Sequence, residues 1–218
     1  MVDEAPVDGR ASAWLDSALK RVIDLAVAAV ALIVTVPILV VAAFAMALTS
    51  RGPILFRQER SGRGGEAFTV AKLRTMSDAR LPSGELAPDE QRLTPVGRWL
   101  RRTSIDELPQ VWNVLAGSMS LVGPRPLPRQ YDALYSGPQR VRLLARPGIT
   151  GLSQVTLRNA GDWKEKLALD TRYVTTASLW LDLSILARTI TAVVSGRGVS
   201  ASGHVTMPEF TGDTPEPR

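Results

Sequence analysis

The sequence contains no cysteine and a single histidine, His204. The absence of cysteine excludes disulfide bonds and metal sites built from thiolates. A single histidine excludes any metal site that needs several histidines. A second long apolar run is also absent, so a chain of 218 residues has no room for a polytopic transporter.

One long run without a charged side chain does occur, from Leu25 to Ser50. As a straight helix it would be roughly 39 Å long, more than the ~30 Å hydrocarbon core of a bilayer requires. It is too long and lies too far along the chain for a cleaved signal peptide, and no small-residue cleavage site follows it. The sequence therefore predicts a membrane helix over residues 18–50 that anchors the chain.

Basic residues flank this run on both sides, Lys20 and Arg21 before it and Arg51 after it. Positive residues beside a membrane segment tend to stay cytoplasmic, and one straight crossing cannot place both flanks there. Pro37 lacks an N–H and crowds the carbonyl one turn earlier, so it bends a helix, and Thr35 is the nearest hydroxyl for the carbonyl that it frees. We predict a proline-kinked re-entrant helix. The alternative is an ordinary spanning helix whose proline is tolerated by its neighbours.

The remaining length suits one compact domain. We divide the sequence into a flexible N-terminus over residues 1–17, the membrane helix over 18–50, a domain over 51–204 and a flexible tail over 205–218. This division follows the polar composition of both ends of the chain.

Arginine dominates the charge of the predicted domain. Between positions 51 and 146 there are fifteen arginines and one lysine against nine acidic residues, a local excess of seven positive charges. Planar guanidinium groups match phosphate oxygens two at a time, so this bias favours phosphate-bearing ligands or an anionic membrane surface. Nucleic acid is the competing ligand, and we predict none, because no nucleic-acid-binding motif accompanies the charge.

A β-hairpin is predicted from two extended segments, 54–60 and 68–74, on either side of a glycine cluster at 61–65. Extended geometry would place Lys72 and Arg74 on one face. The glycine cluster fits neither nucleotide-binding fingerprint, so it is interpreted as a turn, with a phosphate cradle as the alternative.

Two adjacent acids, Asp106 and Glu107, follow a pair of arginines and precede Pro109. Proline is accepted in the first turn of a helix, which places both acids at or just before a helix N-terminus. There the free N–H groups and the macrodipole keep a carboxylate ionised and also attract phosphate. The alternative is structural: Ser104 and Glu107 have the spacing of a capping box.

Two further arginines lie in turns rich in proline and glycine, Arg125 between Pro124 and Pro126, and Arg146 before Pro147. A rigid turn that aims an arginine suits phosphate binding, although such a turn also serves simply to reverse the chain. The last predicted helix covers about residues 167–194. Its apolar stripe either packs on the core or lies flat in the membrane interface.

These motifs, in this order, resemble one family. They are Lys20-Arg21 before the proline-broken helix, Lys72-x-Arg74-Thr75-Met76, Arg101 with Ser104-x-Asp106-Glu107-Leu108-Pro109-Gln110, Asn113, Met119-Ser120-x-Val122-Gly123-Pro124-Arg125-Pro126, and Arg146-Pro147-Gly148-Ile149-Thr150-Gly151. Over about residues 18–210 the chain resembles the bacterial sugar transferases, monotopic phosphoglycosyl transferases that start glycan assembly on a polyprenyl phosphate. Arg158-Asn159-Ala160, Trp163, and the ending Gly203-His204-Val205-Thr206 with Glu209-Phe210 look closest to the short form that transfers phospho-N,N′-diacetylbacillosamine. One departure is Val36, where the family usually has a serine before the proline.

The resemblance implies a two-step displacement. The aspartate at position 106 attacks the sugar-bearing phosphorus of a UDP-sugar, expels UMP and leaves a covalent phosphosugar on the enzyme, which polyprenyl (undecaprenyl) phosphate then takes. Glu107, with Asp106, is implied to hold Mg²⁺. The implied substrate-binding residues, which clamp phosphate oxygens, are Lys72, Arg74, Arg101, Arg125 and Arg146.

The combined prediction is an α+β, mostly helical protein. It has a proline-kinked re-entrant membrane helix and a compact cytoplasmic domain with a small β-hairpin or sheet and interfacial amphipathic helices. It is predicted to act at the cytoplasmic face of the bacterial inner membrane on a UDP-sugar of the acetamido type and on polyprenyl phosphate, with membrane lipid and downstream glycosyltransferases as partners. The alternative is a non-catalytic membrane-surface module that docks on anionic lipid or recruits assembly partners.

Overall fold

The structure, a computed structural model, describes residues 8–49, 52–157, 161–195 and 209–212. The helices in these ranges are α1 (Gly9–Leu15), α2 (Ala18–Thr49), α3 (Asp89–Arg92), α4 (Pro95–Thr103), α5 (Val111–Ala116), α6 (Gly137–Arg140), α7 (Leu152–Leu157), α8 (Trp163–Thr176) and α9 (Leu179–Ser195). The strands are β1 (Leu55–Ser61), β2 (Ala67–Leu73), β3 (Ser120–Val122) and β4 (Gly148–Thr150). Short 3₁₀ helices cover Arg63–Gly65, Ile105–Gln110, Arg129–Leu134 and Val141–Leu144.

The strands form two small sheets, which confirms a mostly helical α+β fold. β1 and β2 are the predicted antiparallel hairpin, with Leu55 opposite Leu73, and the glycine cluster forms its turn. β3 and β4 pair in parallel, with Ser120 opposite Gly148. This second sheet is too short to be visible in the sequence, because each strand has only three residues.

The apolar run forms one continuous helix, α2, that includes Pro37. Among the described residues, α2 is the one helix long and apolar enough to cross a membrane. The hydroxyl of Thr35 donates to the carbonyl of Leu32 at 3.3 Å. Pro37 instead deprives the carbonyl of Ile33, four residues earlier, of its donor. The Thr35 hydroxyl therefore bonds to the carbonyl of Leu32 and not, as predicted, to the carbonyl that Pro37 leaves without a donor. The kink and the re-entrant path stay predictions.

The first turns of α2 are fixed to the domain by buried polar contacts. Lys20 Nζ donates to Asp182 Oδ2 at 2.6 Å and to the carbonyl of Val122 at 3.3 Å. Asp24 accepts the hydroxyl of Ser120 at 2.7 Å. Lys20, predicted as a membrane-flanking charge, is only 6% exposed and binds Asp182 in the interior of the domain.

The far end of α2 contacts the same domain. Ala42 and Met46 pack with Leu73 of β2 and Leu100 of α4. Lys20 and Met46 are separated by roughly 39 Å of helix, which exceeds the ~30 Å hydrocarbon core. A helix that crosses the bilayer perpendicularly cannot keep both points against one domain on one side. The outer face of α2 exposes apolar side chains, among them Val30, Ile33, Val34, Val41, Phe44 and Leu48.

Both predicted flexible ends differ from the prediction where the structure describes them. Residues 9–15, within the segment predicted as a flexible N-terminus, form α1, whose Ala11 and Leu15 are buried in the core. In the predicted tail, Phe210 is 4% exposed and packs edge-on against the ring of Tyr131. In each case a few apolar side chains in a polar segment find a hydrophobic partner, which composition alone does not show.

The predicted helix over 167–194 is two helices, α8 and α9, separated at Ala177 and Ser178. The Ser178 hydroxyl accepts the N–H of Leu181 at 3.2 Å, so it caps the start of α9. Among the α9 residues whose burial the structure describes, Ile185 is fully buried, whereas Ile190 of the apolar stripe is 66% exposed. The prediction of one helix was wrong because the apolar period continues through a serine cap.

Gly97 allows the closest backbone approach near the predicted site. A Cβ at this position of α4 would lie 1.9 Å from the carbonyl oxygen of Thr75. We expect Gly97→Ala to lower the free energy of unfolding by about 3 kcal/mol, because α4 must move away from this carbonyl. Thermal unfolding monitored by circular dichroism measures this loss. Gly9→Ala is the matched control, since a Cβ at Gly9 meets no atom within 4 Å, and an equal effect of both changes would contradict the explanation.

Candidate active site

The two adjacent acids lie in the first turn of the 3₁₀ helix Ile105–Gln110, which continues directly into α5. The turn starts at Ser104, which has a left-handed backbone with φ of 57°. No other non-glycine residue in the described ranges has a positive φ. A serine in this conformation carries strain that often accompanies a functional site. The prediction that both acids lie at a helix start is confirmed.

The capping-box alternative is not what the structure shows. The Ser104 side chain makes no capping hydrogen bond. The backbone N–H of Glu107 donates to the carbonyl of Ser104 at 3.2 Å, while the Glu107 side chain turns to two cations instead. The acid that the spacing assigned to helix capping is therefore part of a charge cluster.

Glu107 pairs with Lys72 of β2 and with Arg125. Lys72 Nζ and Arg125 Nη2 both approach Oε1 of Glu107, at 2.8 Å and 2.6 Å. Burial alone would raise the pKa of Glu107, but the charges and hydrogen bonds of Arg125 and Lys72 hold it well below its ordinary value. Glu107 is thus ionised throughout the physiological range, and it fixes both cations in place.

Asp106 has the opposite environment although it is the next residue. Its side chain is buried, with the residue 8% exposed. Burial raises the pKa of Asp106 above its ordinary value of 3.8, and the charge of Glu107 raises it further, against the opposing charges of Lys72, Arg101 and Arg125. Two neighbouring carboxylates whose pKa values are pushed apart are typical of sites where each acid has its own chemical role.

Arg101 reaches the site from the last turn of α4. Its Nε donates to the hydroxyl of Thr75 at 2.9 Å, and Thr75 is buried beneath it. Its charge acts on Asp106. Arg74, predicted to share a face with Lys72, instead donates from Nε to the carbonyl of Met76 at 2.9 Å and pairs with Asp78 at 3.1 Å.

Arg146 contacts a different part of the molecule. Its Nε donates to the carbonyl of Gly117 at 3.1 Å, just beyond the end of α5, and its charge lowers the pKa of Asp16, behind the larger effect of Arg63. The structure therefore brings together Lys72, Arg101 and Arg125 around the two acids. Arg74 contacts Met76 and Asp78, and Arg146 contacts Gly117, which lie outside this cluster.

The Arg125 turn is held by tight backbone packing. Gly123, Gly148 and Gly151 approach one another so closely that a Cβ on any of them would lie within 2.3 Å of a backbone atom. The N–H of Gly148 donates to the carbonyl of Pro124 at 2.9 Å. These contacts make the turn rigid, as the two prolines around Arg125 suggested.

One residue that the sequence analysis missed also supports this turn. Arg142 is 3% exposed, and its Nη2 donates to the carbonyl of Arg125 at 2.5 Å. It pairs with Asp170 of α8 at 3.0 Å, and Asp170 also accepts the hydroxyl of Ser153 at 2.7 Å. No sequence signal marks Arg142, because its partners are distant along the chain and it lies in no motif.

A metal ion bound only by protein side chains has no candidate site in the described ranges, which contain no group of three or more metal-ligating side chains. Mg²⁺, however, is usually bound by one or two carboxylates together with substrate phosphates and water. Asp106 and Glu107 fit that kind of site, because they are adjacent and Lys72 and Arg125 both contact the same oxygen of Glu107.

Several similar proteins are named as sugar transferases or sugar-phosphate transferases. A 46% identical Bacillus subtilis protein, named "Uncharacterized sugar transferase EpsL", aligns over 194 residues, 89% of this chain and 96% of the relative. A Caulobacter vibrioides UDP-glucose:undecaprenyl-phosphate glucose-1-phosphate transferase is 45% identical over 187 residues, 81% of this chain and 70% of that protein. An Aeromonas hydrophila UDP-N-acetylgalactosamine-undecaprenyl-phosphate N-acetylgalactosaminephosphotransferase is 36% identical over 83% of this chain, but only 44% of that longer protein is covered.

The family profile described as bacterial sugar transferase matches residues 15–196, which include both acids and all the cations described above. The profile begins in α1 and ends just beyond α9, so it covers α2 together with the domain. By this match and by the extensive identity with these relatives, the chain belongs to the bacterial sugar transferase family.

Proposed function

We propose that this protein transfers a sugar 1-phosphate from a UDP-sugar to polyprenyl (undecaprenyl) phosphate and releases UMP. Relatives in the family are named for this type of reaction. The observation that carries the proposal is the pairing of Asp106 and Glu107. A buried carboxylate with a raised pKa lies beside a second carboxylate that holds two cations in place.

In the proposed first step, a carboxylate oxygen of Asp106 attacks the sugar-bearing phosphorus of the UDP-sugar. The bond from this phosphorus to the bridging oxygen breaks, and UMP leaves with the electron pair. In the second step, a phosphate oxygen of the lipid attacks the same phosphorus. The bond to Asp106 then breaks, which restores the carboxylate and yields a polyprenyl diphosphosugar. Burial favours Asp106 as the nucleophile, because a poorly solvated carboxylate gives up little hydration when it attacks.

The cations of the site reduce the repulsion between the anionic carboxylate and the anionic phosphate group that it attacks. Lys72 and Arg125 are already fixed on Glu107, and Arg101 is fixed on Thr75. Fixed cations stabilise developing negative charge without reorganisation during the reaction. Their remaining N–H groups are the donors proposed for the phosphate oxygens. Arg74 and Arg146 are proposed for this role only if their side chains move on binding.

Mg²⁺ is the proposed cofactor, held by Asp106 and Glu107 together with the diphosphate of the donor. When bound, it would neutralise the diphosphate and favour the departure of UMP. The support for this assignment is the pair of adjacent carboxylates, which matches the small number of protein ligands that Mg²⁺ usually takes in phosphate sites.

We further propose that α2 enters and leaves the bilayer on one side, with the domain on the cytoplasmic face. The contacts of Lys20 and Met46 with the same domain support this arrangement, and so does the apolar outer face of α2. A lipid phosphate at the membrane surface would then be within reach of the domain. Labelling of both termini in intact cells tests the topology, and termini on opposite sides of the membrane would contradict it.

The proposed donor is a UDP-acetamido sugar. This choice rests on the resemblance to the short form of the family at Trp163 and Phe210, which pack against each other with ring centroids 5.5 Å apart. The further resemblance at 158–160 and at His204 lies outside the described residues. The masses of lipid products formed from a panel of UDP-sugars identify the sugar.

The overall reaction is tested with the full chain in detergent or nanodiscs, UDP-sugars, Mg²⁺ and polyprenyl phosphate. We expect UMP release that depends on the lipid in multiple turnovers, together with a polyprenyl diphosphosugar product. Membrane binding without turnover of any UDP-sugar would contradict the proposal and favour a non-catalytic docking module.

The raised pKa of Asp106 predicts the pH dependence of the first step. The nucleophile must be ionised, so kcat/KM falls as the pH is lowered through the pKa of Asp106, and this acid limb lies above 3.8. Glu107→Gln removes the neighbouring negative charge, so we expect the acid limb to move to lower pH in this variant. Rates of UMP release between about pH 4 and 8 measure the acid limb of the wild type and that of Glu107→Gln. A limb that moves upward would contradict the assignment.

A further inference from the structure

Two more basic residues, Arg60 and Lys166, belong to elements of the fold that contact the Arg125 turn. Arg60, near the end of β1, donates from Nη1 to the carbonyl of Pro126 at 3.4 Å and from Nη2 to Gln58 Oε1 at 2.5 Å. Its backbone also forms a β-bridge with Pro128. Arg60 is therefore fixed beside the turn by both its backbone and its side chain.

Lys166 belongs to α8, the helix that is tied to the same turn through Asp170 and Arg142. It lies one turn before Asp170, on the same face of the helix. Asp170 binds Arg142, whose Nη2 donates to the carbonyl of Arg125. Two successive carbonyls of the turn, at Arg125 and Pro126, thus accept arginines, and the elements that carry Arg60 and Lys166 are tied to it.

The charge of Arg125 acts on both residues. Burial and then the charge of Arg125 lower the pKa of Arg60 to about 10, against the opposing charge of Glu107, which leaves Arg60 protonated at neutral pH. Burial and then Arg125 likewise lower the pKa of Lys166, against the opposing charges of Asp162 and Glu165. Within the described part of the chain, Arg60 makes no ion pair with a carboxylate. Positive charges that repel one another beside a solvent-accessible arginine are relieved by an anionic ligand.

We infer that Arg60 and Lys166, together with Arg125, form a second anion subsite, which binds a phosphate group other than the one attacked by Asp106. This inference rests on the proposed function, in which each catalytic cycle brings three phosphate groups to the site. One group is attacked, and the other two are the phosphate that remains in UMP and the phosphate of the lipid. The subsite takes one of these two.

The test compares steady-state kinetics of the full chain with Arg60→Gln and Lys166→Gln. Each substitution removes a charge-assisted contact with phosphate, so we expect KM for one substrate to rise about tenfold or more while kcat changes less than about threefold. The matched controls are Arg57→Gln, an exposed arginine on the opposite face of β1, and Lys164→Gln, an exposed lysine on another face of α8. Both controls should keep the wild-type KM values.

The two substrates are varied separately, so the data also identify the phosphate. A raised KM for the UDP-sugar supports the inference and assigns the subsite to the nucleotide. A raised KM for polyprenyl phosphate supports it and assigns the subsite to the lipid. Wild-type turnover with KM values that neither substitution changes beyond its control would overturn the inference alone, whereas a wild type without turnover would overturn the proposed function as well. If thermal unfolding shows that Arg60→Gln is destabilised, Arg60→Lys, which keeps the charge, must restore KM to within about threefold of wild type, and failure to do so counts against the inference.

Discussion

Asp106→Asn is expected to lower the rate of UMP release by about 10⁴-fold or more, because the amide cannot replace the carboxylate as the group that attacks phosphorus. The substitution keeps the size and shape of the side chain. Glu90→Gln, which neutralises an exposed acid on α3, is the matched control and should keep the wild-type rate. A variant with Asn at position 106 that releases UMP within tenfold of the wild-type rate would contradict the role of Asp106.

The stability of the same variant separates loss of chemistry from loss of fold. A carboxyl group whose pKa is raised in the folded state binds its proton more tightly there than in the unfolded chain. Above its ordinary pKa of 3.8 the ionised group therefore disfavours folding, and stability falls as pH rises through this range. We expect Asp106→Asn to be at least as stable as the wild type at neutral pH, by thermal unfolding. An inactive variant that is also clearly less stable would point to a structural role.

Glu107→Gln is expected to lower kcat/KM by about 100-fold, because Lys72 and Arg125 lose the charge that holds them. It should also reduce the free energy of unfolding at neutral pH, by about 2 kcal/mol. This is less than for a fully buried ion pair, since the Arg125 side chain is 44% exposed. The pKa of Glu107 is lowered in the folded state, so its contribution is present above the ordinary pKa of 4.5 and is lost as pH falls.

The two neighbouring substitutions thus have opposite expected effects on stability. Asp106→Asn removes a destabilising charge, whereas Glu107→Gln removes a stabilising one. Chemical denaturation of both variants at pH 7 and at about pH 4 measures the difference, which should shrink at the lower pH. Stability changes of the same sign at pH 7 would contradict the electrostatic description of the pair.

Local sequence signals predicted much of the fold that carries this pair. Apolar length predicted α2, a glycine cluster between extended segments predicted the β1–β2 hairpin, and Pro109 predicted the helix start at the acids. Each of these features depends on residues within a few positions of one another. Turn chemistry and helix capping are local, so a sequence records them directly.

The parts that the sequence did not show depend on contacts between distant positions. Lys20 and Asp182 are 162 residues apart, and Arg142 and Asp170 are 28 apart, yet each pair is buried. A lysine next to an apolar run has the pattern of a membrane flank whether or not it is buried, so composition cannot reveal its partner. Arg146 lies in a turn like that of Arg125, so the sequence predicts the same role for both. The Arg146 side chain is instead held by the distant Gly117 carbonyl, which the sequence does not show.

The buried contacts of α2 also connect this apolar helix with the site. Lys20 and the hydroxyl of Tyr173 both donate to the carbonyl of Val122, at 3.3 Å and 3.0 Å. Val122 ends β3 and immediately precedes the turn that carries Arg125. The turn that carries Arg125 and the first turns of α2 are therefore fixed to the same strand, which suits the proposed reaction between a soluble nucleotide and a lipid phosphate.

The covalent aspartyl intermediate is tested most directly by the intact mass of the protein after incubation with UDP-sugar and Mg²⁺ in the absence of lipid. The proposed mechanism predicts a mass increase equal to one sugar phosphate, located at Asp106 by peptide mapping and lost when polyprenyl phosphate is added. Asp106→Asn should show no increase. An unchanged mass of the wild-type protein, in a preparation that releases UMP when the lipid is present, would contradict the central claim.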